Sequence, residues 1–395
     1  MSAGFAVLAA AYVLSQFYRA CLAVLAPVLG TEIGATAEDL AFASGIWFAT
    51  FAAMQIPVGW ALDRIGPRRT AGWMLGLAGA GGAALFALAQ GPAMVSAGMA
   101  LIGIGCAPVL MASFYIFARS YRPAVFASLA GVMVGVGSAG NLASAAPLAW
   151  AVDAIGWRGA MWVLAAVTLA VGVGVLALVR DPPPVGEGSE AAGAGRWSVR
   201  RQPAMLALVP ISVVAYAPAA GVRGLWAGPY LADVFGLDAG QIGLATLVMA
   251  VAMIAGNLAY GPADRIFGTR KWVALGGNLA AAACLLALWG LPASGVLLST
   301  ALMAGLGFFG SSFPLLIAHG RSYFPPHLVG RGVSLLNLLA IGGAGLLQIA
   351  SGRIHAGLSA AGAPPAETYG TLFAFFALLL LAGRALYAFA RDRMD

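Results

Sequence analysis

Charge is what this chain of 395 residues has least of: 9% of it is Asp, Glu, Lys or Arg, against 61% hydrophobic. A soluble domain carries about 25% charged residues, so water is excluded as its main solvent. Lysine has nearly vanished, with Lys271 the single one. The three cysteines, Cys21, Cys106 and Cys284, lie in apolar stretches and offer neither a disulfide framework nor C-x-x-C metal spacing. No basic stretch precedes the first apolar run, which is long enough to span a bilayer and does not read as a cleavable leader. No nucleophile–base or metal constellation is legible, so no catalytic residue, metal or cofactor is expected and the chain does not read as an enzyme.

What is present in abundance is glycine, 54 residues of it. Small residues let membrane helices approach closely, because lipid supplies no hydrophobic push between them. Apolar runs of about 20 residues read as spans. Twelve are found, at 4–29, 40–62, 70–89, 93–117, 124–149, 159–179, 204–231, 241–261, 272–289, 294–318, 331–352 and 370–390. The expected class is an all-α membrane protein of twelve transmembrane helices. Residues 1–180 form an N-terminal six-helix bundle, 181–203 a linker rich in Pro, Gly, Ala and Ser, and 204–395 a C-terminal six-helix bundle.

An even number of spans puts both termini on one side. Of the 21 Lys and Arg residues, Arg19 and Arg223 lie mid-span, and Arg158 and Arg353 lie at one membrane face. The other seventeen lie at the face that carries the termini. This positive-inside bias predicts cytoplasmic termini in a bacterial inner (plasma) membrane. The net charge of +7 is then a topology signal and implies no nucleic-acid partner. The expected partners are the lipid bilayer and a small-molecule substrate, with the chain itself a monomer.

The halves repeat at an offset of about 202 residues. Arg119-Ser120-Tyr121-Arg122-Pro123 recurs as Arg321-Ser322-Tyr323-Phe324-Pro325, and Pro27-Val28-Leu29 with Gly34 recurs as Pro229-Tyr230-Leu231 with Gly236. Asp63-Arg64-Ile65-Gly66 recurs as Asp264-Arg265-Ile266-Phe267. Internal repeats of this kind build many transporters, with the site near mid-membrane between them. The segment Gly59-x-x-x-Asp63-Arg64-x-Gly66-x-Arg68-Arg69 resembles the signature loop of the major facilitator superfamily. That resemblance implies a secondary transporter working by alternating access. It also implies a gating role, as a latch on one face, for Gly59, Asp63, Arg64 and Arg68 and for the repeat's Asp264 and Arg265.

A charge at mid-bilayer costs at least about 2.5–3.5 kcal/mol and marks function by default. All 14 acids lie in loops or at span ends, whereas Arg19 and Arg223 sit mid-span at similar depth in the first and seventh spans. With no intramembrane carboxylate to neutralise them, an anionic substrate is the expected partner, since guanidinium suits bidentate binding of carboxylate or phosphate. Phe17-Tyr18-Arg19 with Pro27 resembles the first span of the organophosphate:phosphate antiporters, which implies an organic or phosphorylated anion. Gln16, Tyr18, Gln55, Tyr115, Asn141, Trp226, Asn257 and Asn337 are further candidate substrate contacts within the spans. His319 beside Arg321 is a candidate titrating group. Three other functions stay open. One is efflux of lipophilic drugs or cations, which usually needs a membrane-embedded acid. A second is copper import through Met249-x-x-x-Met253, and the third a sensor or assembly factor on the same fold.

Overall fold

The structure, a computed structural model, describes residues 3–120, 123–182, 203–323 and 329–393. The expected linker beyond Pro182 lies outside the described residues, as do Tyr121, Arg122, Phe324 and Pro325 of the repeated motif. Among the described residues ten helices are long and apolar enough to cross a membrane, eleven with the bent first pair, and dividing the longest at Gly156 arranges the helices as twelve traverses. The first consists of Ala3–Tyr18 and Leu22–Ile33, bent by 51° at the break between them. The second consists of Ala37–Ala53 and Gln55–Arg64, the third runs through Pro67–Ala87 and the fourth is Pro92–Ser120. The fifth is Pro123–Ala143 continued by residues 146–155, and the chain reverses at Gly156, whose φ of 71° suits glycine, into a sixth span over 157–178.

The seventh span joins Pro203–Val214, Ala217–Gly221, the π-helical Val222–Trp226 and Ala227–Phe235. The eighth is Ala239–Phe267, the ninth Lys271–Gly290, the tenth Val296–Gly310 plus Phe313–Arg321, the eleventh Val329–Ala360 and the twelfth Pro365–Tyr387. Several helices outrun their apolar runs. The eleventh continues eight residues past 352 to Ala360, because a formed helix carries its polar end into the headgroup layer.

The repeat is visible in the helix ends. Gly34 and Gly236, with φ of 65° and 69°, close the first and seventh spans in the left-handed conformation. The next helix in each half opens with a reciprocal capping box, Thr36 with Asp39 and Asp238 with Gln241. A third repeated device is formed by residues distant in sequence. Asp181 accepts from the Arg68 amide at 2.7 Å where the third span starts, and Asp392 accepts from the Lys271 amide at 3.1 Å where the ninth starts. Each carboxylate satisfies orphan donors at the positive end of a helix dipole.

The two six-helix bundles meet at the end away from the termini, here the far end. Ala37–Ala53 of the second span packs on the eleventh, Leu22–Ile33 on Ala227–Phe235, and the eighth span on the fifth and sixth. Glycines permit the approach. A Cβ at Gly228 would lie 1.7 Å from the Ala23 carbonyl oxygen, and Cβ atoms at Gly45 and Gly345 would each lie 2.7 Å from the other's oxygen. Towards the terminal end the bundles part. There Gln55–Arg64 packs on the third and fourth spans of its own bundle, and Gly59 and Gly261 have nothing within 4 Å of a would-be Cβ.

Candidate functional site

Between the bundles lies a cavity of about 220 Å³. The first span contributes Tyr12, Gln16 and Arg19, spaced i, i+4, i+7 on one helix face. Tyr216, Ala220 and Arg223 repeat that spacing from the seventh. Both arginines sit where the helix is irregular, Arg19 in the break between Tyr18 and Leu22 and Arg223 in the π-helical Val222–Trp226. Broken spans and π-turns concentrate at functional sites in membrane helices. The two irregular segments touch, since a Cβ at Gly224 would lie 2.7 Å from the Arg19 carbonyl oxygen.

The arginines are held differently. Arg19 lies over two aromatic faces, its guanidinium carbon 4.9 Å from the Phe51 ring centre and 5.1 Å from that of Trp47. Its Nε is buried without a partner. Arg223 is 5% exposed. It donates across the gap to the first bundle, to the Asn141 side-chain oxygen at 3.0 Å, the Asn141 carbonyl at 2.5 Å and the Ser144 hydroxyl at 3.3 Å. Its Nε too is buried and unpartnered. The wall carries no Asp, Glu, His or Cys among the described residues.

Gln16, Gln55, Asn141, Asn257 and Asn337 stand on the same wall as the two arginines. Three residues singled out from the sequence do not. Tyr18 is turned to the sixth span, where its hydroxyl pairs with Thr168 at 2.8 Å, because one helical step past Phe17 rotates it off the Gln16–Arg19 face. Trp226 points into its own bundle and donates to Ser351 at 2.9 Å. A regular helix would have kept it near the Arg223 face, but the wider π-turn between them rotates it away. Tyr115 lies under the Arg119 guanidinium at 4.3 Å, towards the terminal end.

Residues that the sequence reading passed over include Tyr12, Phe48, Phe51 and Phe313, which with Tyr216 form an aromatic wall. Their signal was the same face spacing that picks out Arg19 and Arg223, and it is masked in an apolar helix where every face is hydrophobic. Met253 lines the cavity, whereas Met249 is buried against Gly307, so the pair does not present two thioethers to one open space. His319 is also away from the cavity, bonded to the Tyr387 hydroxyl at 2.5 Å and to the Arg391 carbonyl at 3.0 Å.

At the terminal end the signature loop and its repeat diverge. Asp63 and Arg64 are exposed, and Asp63 makes no hydrogen bond or ion pair with any described residue. Arg68 donates through Nε to the Leu176 carbonyl at 2.5 Å. Asp264 is buried and pairs with Arg270 Nε at 2.9 Å, while Arg265 is exposed. Gly59 stands open to its surroundings.

A family model described as Major Facilitator Superfamily matches residues 8–225, more than half of the chain. The chain belongs to the major facilitator superfamily. Solved structures of superfamily transporters share the fold. A bacterial homologue of the human lysosomal transporter Spinster, inward-facing and unoccupied, is 17% identical with a TM-score of 0.76, over 98% of this chain and 96% of that one. A D-xylose–proton symporter is 15% identical with a TM-score of 0.73 over 96% of both chains. The inward-open xylose transporter of E. coli is 15% identical with a TM-score of 0.71, over 99% and 96%. No curated protein sequence matches. This major facilitator chain is therefore a multi-pass membrane transporter for a small molecule.

Proposed function

We propose that the protein moves a small organic or phosphorylated anion across the bacterial inner membrane by alternating access, with the terminal end cytoplasmic. One observation carries the reading: the central cavity has two arginines on its wall and no carboxylate. Each arginine also keeps a buried, unpartnered Nε. An anion arriving there accepts charge-assisted bonds that no described protein acid competes for. Lipophilic-cation efflux and copper import fit this wall poorly, since neither an acid nor a sulfur-rich cluster faces the solute. In the opposite state the bundles, residues 1–180 and 204–395, rock as units, and the Asp63 loop with its Asp264 repeat closes the cytoplasmic face. The chain works as a monomer.

The test is binding and liposome exchange with inorganic phosphate, a phosphate monoester and a monocarboxylate. Arg19→Gln and Arg223→Gln should each weaken the preferred anion tenfold or more, as bonds to charged groups contribute roughly 1.5–3 kcal/mol. Lysine should restore only part, because an ammonium lacks the planar fork. Wild-type anion affinity in Arg19→Gln would overturn the reading. It would favour a second one, a neutral polyhydroxy solute like that of the xylose symporter, held by Gln16, Gln55, Asn141, Asn257 and Asn337.

A further inference from the structure

At the far end each bundle places an acid where its first helix finishes. In the first bundle Glu32 accepts from Trp157 Nε1 at 2.8 Å and from Arg158 at 3.0 Å, both at the start of the sixth span. In the second bundle Asp233, 201 residues on, accepts from the Tyr369 hydroxyl near the start of the twelfth span. No arginine joins it. The group beside it that can carry positive charge is His355 of the eleventh span. Its half-buried imidazole stacks on Trp226 at 5.2 Å and 27° and meets Tyr369 at 5.1 Å. His355 forms no hydrogen bond with any described residue, and the Tyr369 ring that it meets is the one whose hydroxyl donates to Asp233. This end also carries Arg353 on the same helix, Glu367 on the twelfth and Glu38, whose backbone lies against Gly352, all three exposed, and Asp39, Asp153 and Asp238 at other helix ends.

We propose that His355 is a proton-binding site that fastens the far-end gate. A permanent cation, Arg158 of the sixth span, holds the first bundle's acid, whereas the cation available near the second bundle's acid is titratable and stands on the eleventh span. When protonated, the imidazole becomes a cation on the indole face of Trp226 and a counter-charge for Asp233. Both attractions tie the seventh span to the eleventh. Those two spans present Gly228 and Gly352 to Ala23 and Ala41 of the first bundle, so fastening them together completes the seal. Deprotonation releases the tie and lets the far end open. The same five residues, Val222–Trp226, carry Arg223 towards the cavity and Trp226 towards His355, so proton and solute act on one short segment.

The experiment uses the full chain in nanodiscs, with Cys21, Cys106 and Cys284 replaced by Ala and spin labels on cysteines at Thr31 and Ser359. Both label positions are exposed at the far end, one on each bundle. No anion is added, so the outcome does not depend on what the cavity carries. Between pH 5 and 8 the ratio of short to long label distances should fall roughly two- to fivefold. His355→Gln should abolish the change, and His355→Lys should hold the short distance at both pH values. Asp233→Asn should shrink the change and serves if His355→Gln fails to fold. A pH response that survives His355→Gln, one that is unaltered in Asp233→Asn, or a wild-type chain with no response overturns the proposal.

Discussion

The signature loop and its repeat carry the same Asp-Arg pair, yet one acid is free in water and the other is buried in an ion pair. Asp63 stands alone, whereas Asp264 is locked to Arg270 inside its own bundle. The repeat has one residue more between its acid and its glycine, Asp264 to Gly268 against Asp63 to Gly66, and this explains part of the difference. Gly66 turns the first loop sharply at φ 96°, while the second helix runs on to Phe267 before turning at Gly268. This longer helix carries Asp264 inward, where burial requires a partner for its charge. Duplication thus left one acid available for exchange between states and turned the other into part of the scaffold.

The comparison breaks most readily at Asp264. Asp264→Asn should remove the carboxylate charge that Arg270 Nε meets at 2.9 Å and cost about 1–3 kcal/mol, read as a lower thermal midpoint. A loss this large in Asp63→Asn as well would erase the contrast. Next in size are the helix caps. Asp181→Ala and Asp392→Ala each remove an acceptor from a helix start and should cost about 0.5–2 kcal/mol in denaturation. Similar losses at the two positions would mark them as equivalents, and a loss at one alone would not. Smallest in stability is Asp63→Asn, an exposed change expected to stay within about 0.5 kcal/mol while solute turnover in liposomes slows. Unchanged turnover would remove the latch role from Asp63.

The caps also differ in how acid reaches them. Burial pushes the Asp392 carboxyl up, but the Thr269 hydroxyl, the Lys271 amide and the charge of His319 outweigh it and leave the carboxyl below its usual value. A depressed carboxylate stabilises the fold above its unfolded value of about 3.9 and loses that contribution as pH falls through the folded one. The tail that carries Asp392 should therefore detach first under acid. Hydrogen exchange of residues 388–393 between pH 5 and 3 measures this, and Asp392→Asn should make that exchange independent of pH.

Much of the architecture could be read from sequence because a bilayer enforces it. Spans and repeat follow from hydropathy and the matching Pro27 and Pro229 segments. The shared wall of Gln16, Arg19 and Arg223 follows from helical spacing and from the cost of burying charge. Local departures from the ideal helix were not legible. The break after Tyr18 is a backbone event at Arg19-Ala20-Cys21 with neither glycine nor proline to mark it, and the π-turn Val222–Trp226 is marked only by Gly224 in a chain where glycine is everywhere. They decide that Arg223 faces the cavity and Trp226 does not. The caps from Asp181 and Asp392 were hidden for another reason. Each acts on a helix more than 100 residues away, and their spacing of 211 departs from the repeat offset.

The contact of Gly228 with the Ala23 backbone has a consequence for the membrane itself. The far-end seal between bundles is made of shape, glycine against carbonyl, with no ion pair across it among the described residues. Salt, which screens charges over about 8 Å at physiological strength, has little hold on such a seam. The terminal end, lined with arginines and acids, answers to salt directly. A seam made of fit responds instead to how the surrounding lipid tilts and compresses its helices. Dissolved salt therefore acts on the terminal door of this transporter, while the far door, apart from the proton on His355, answers to the bilayer.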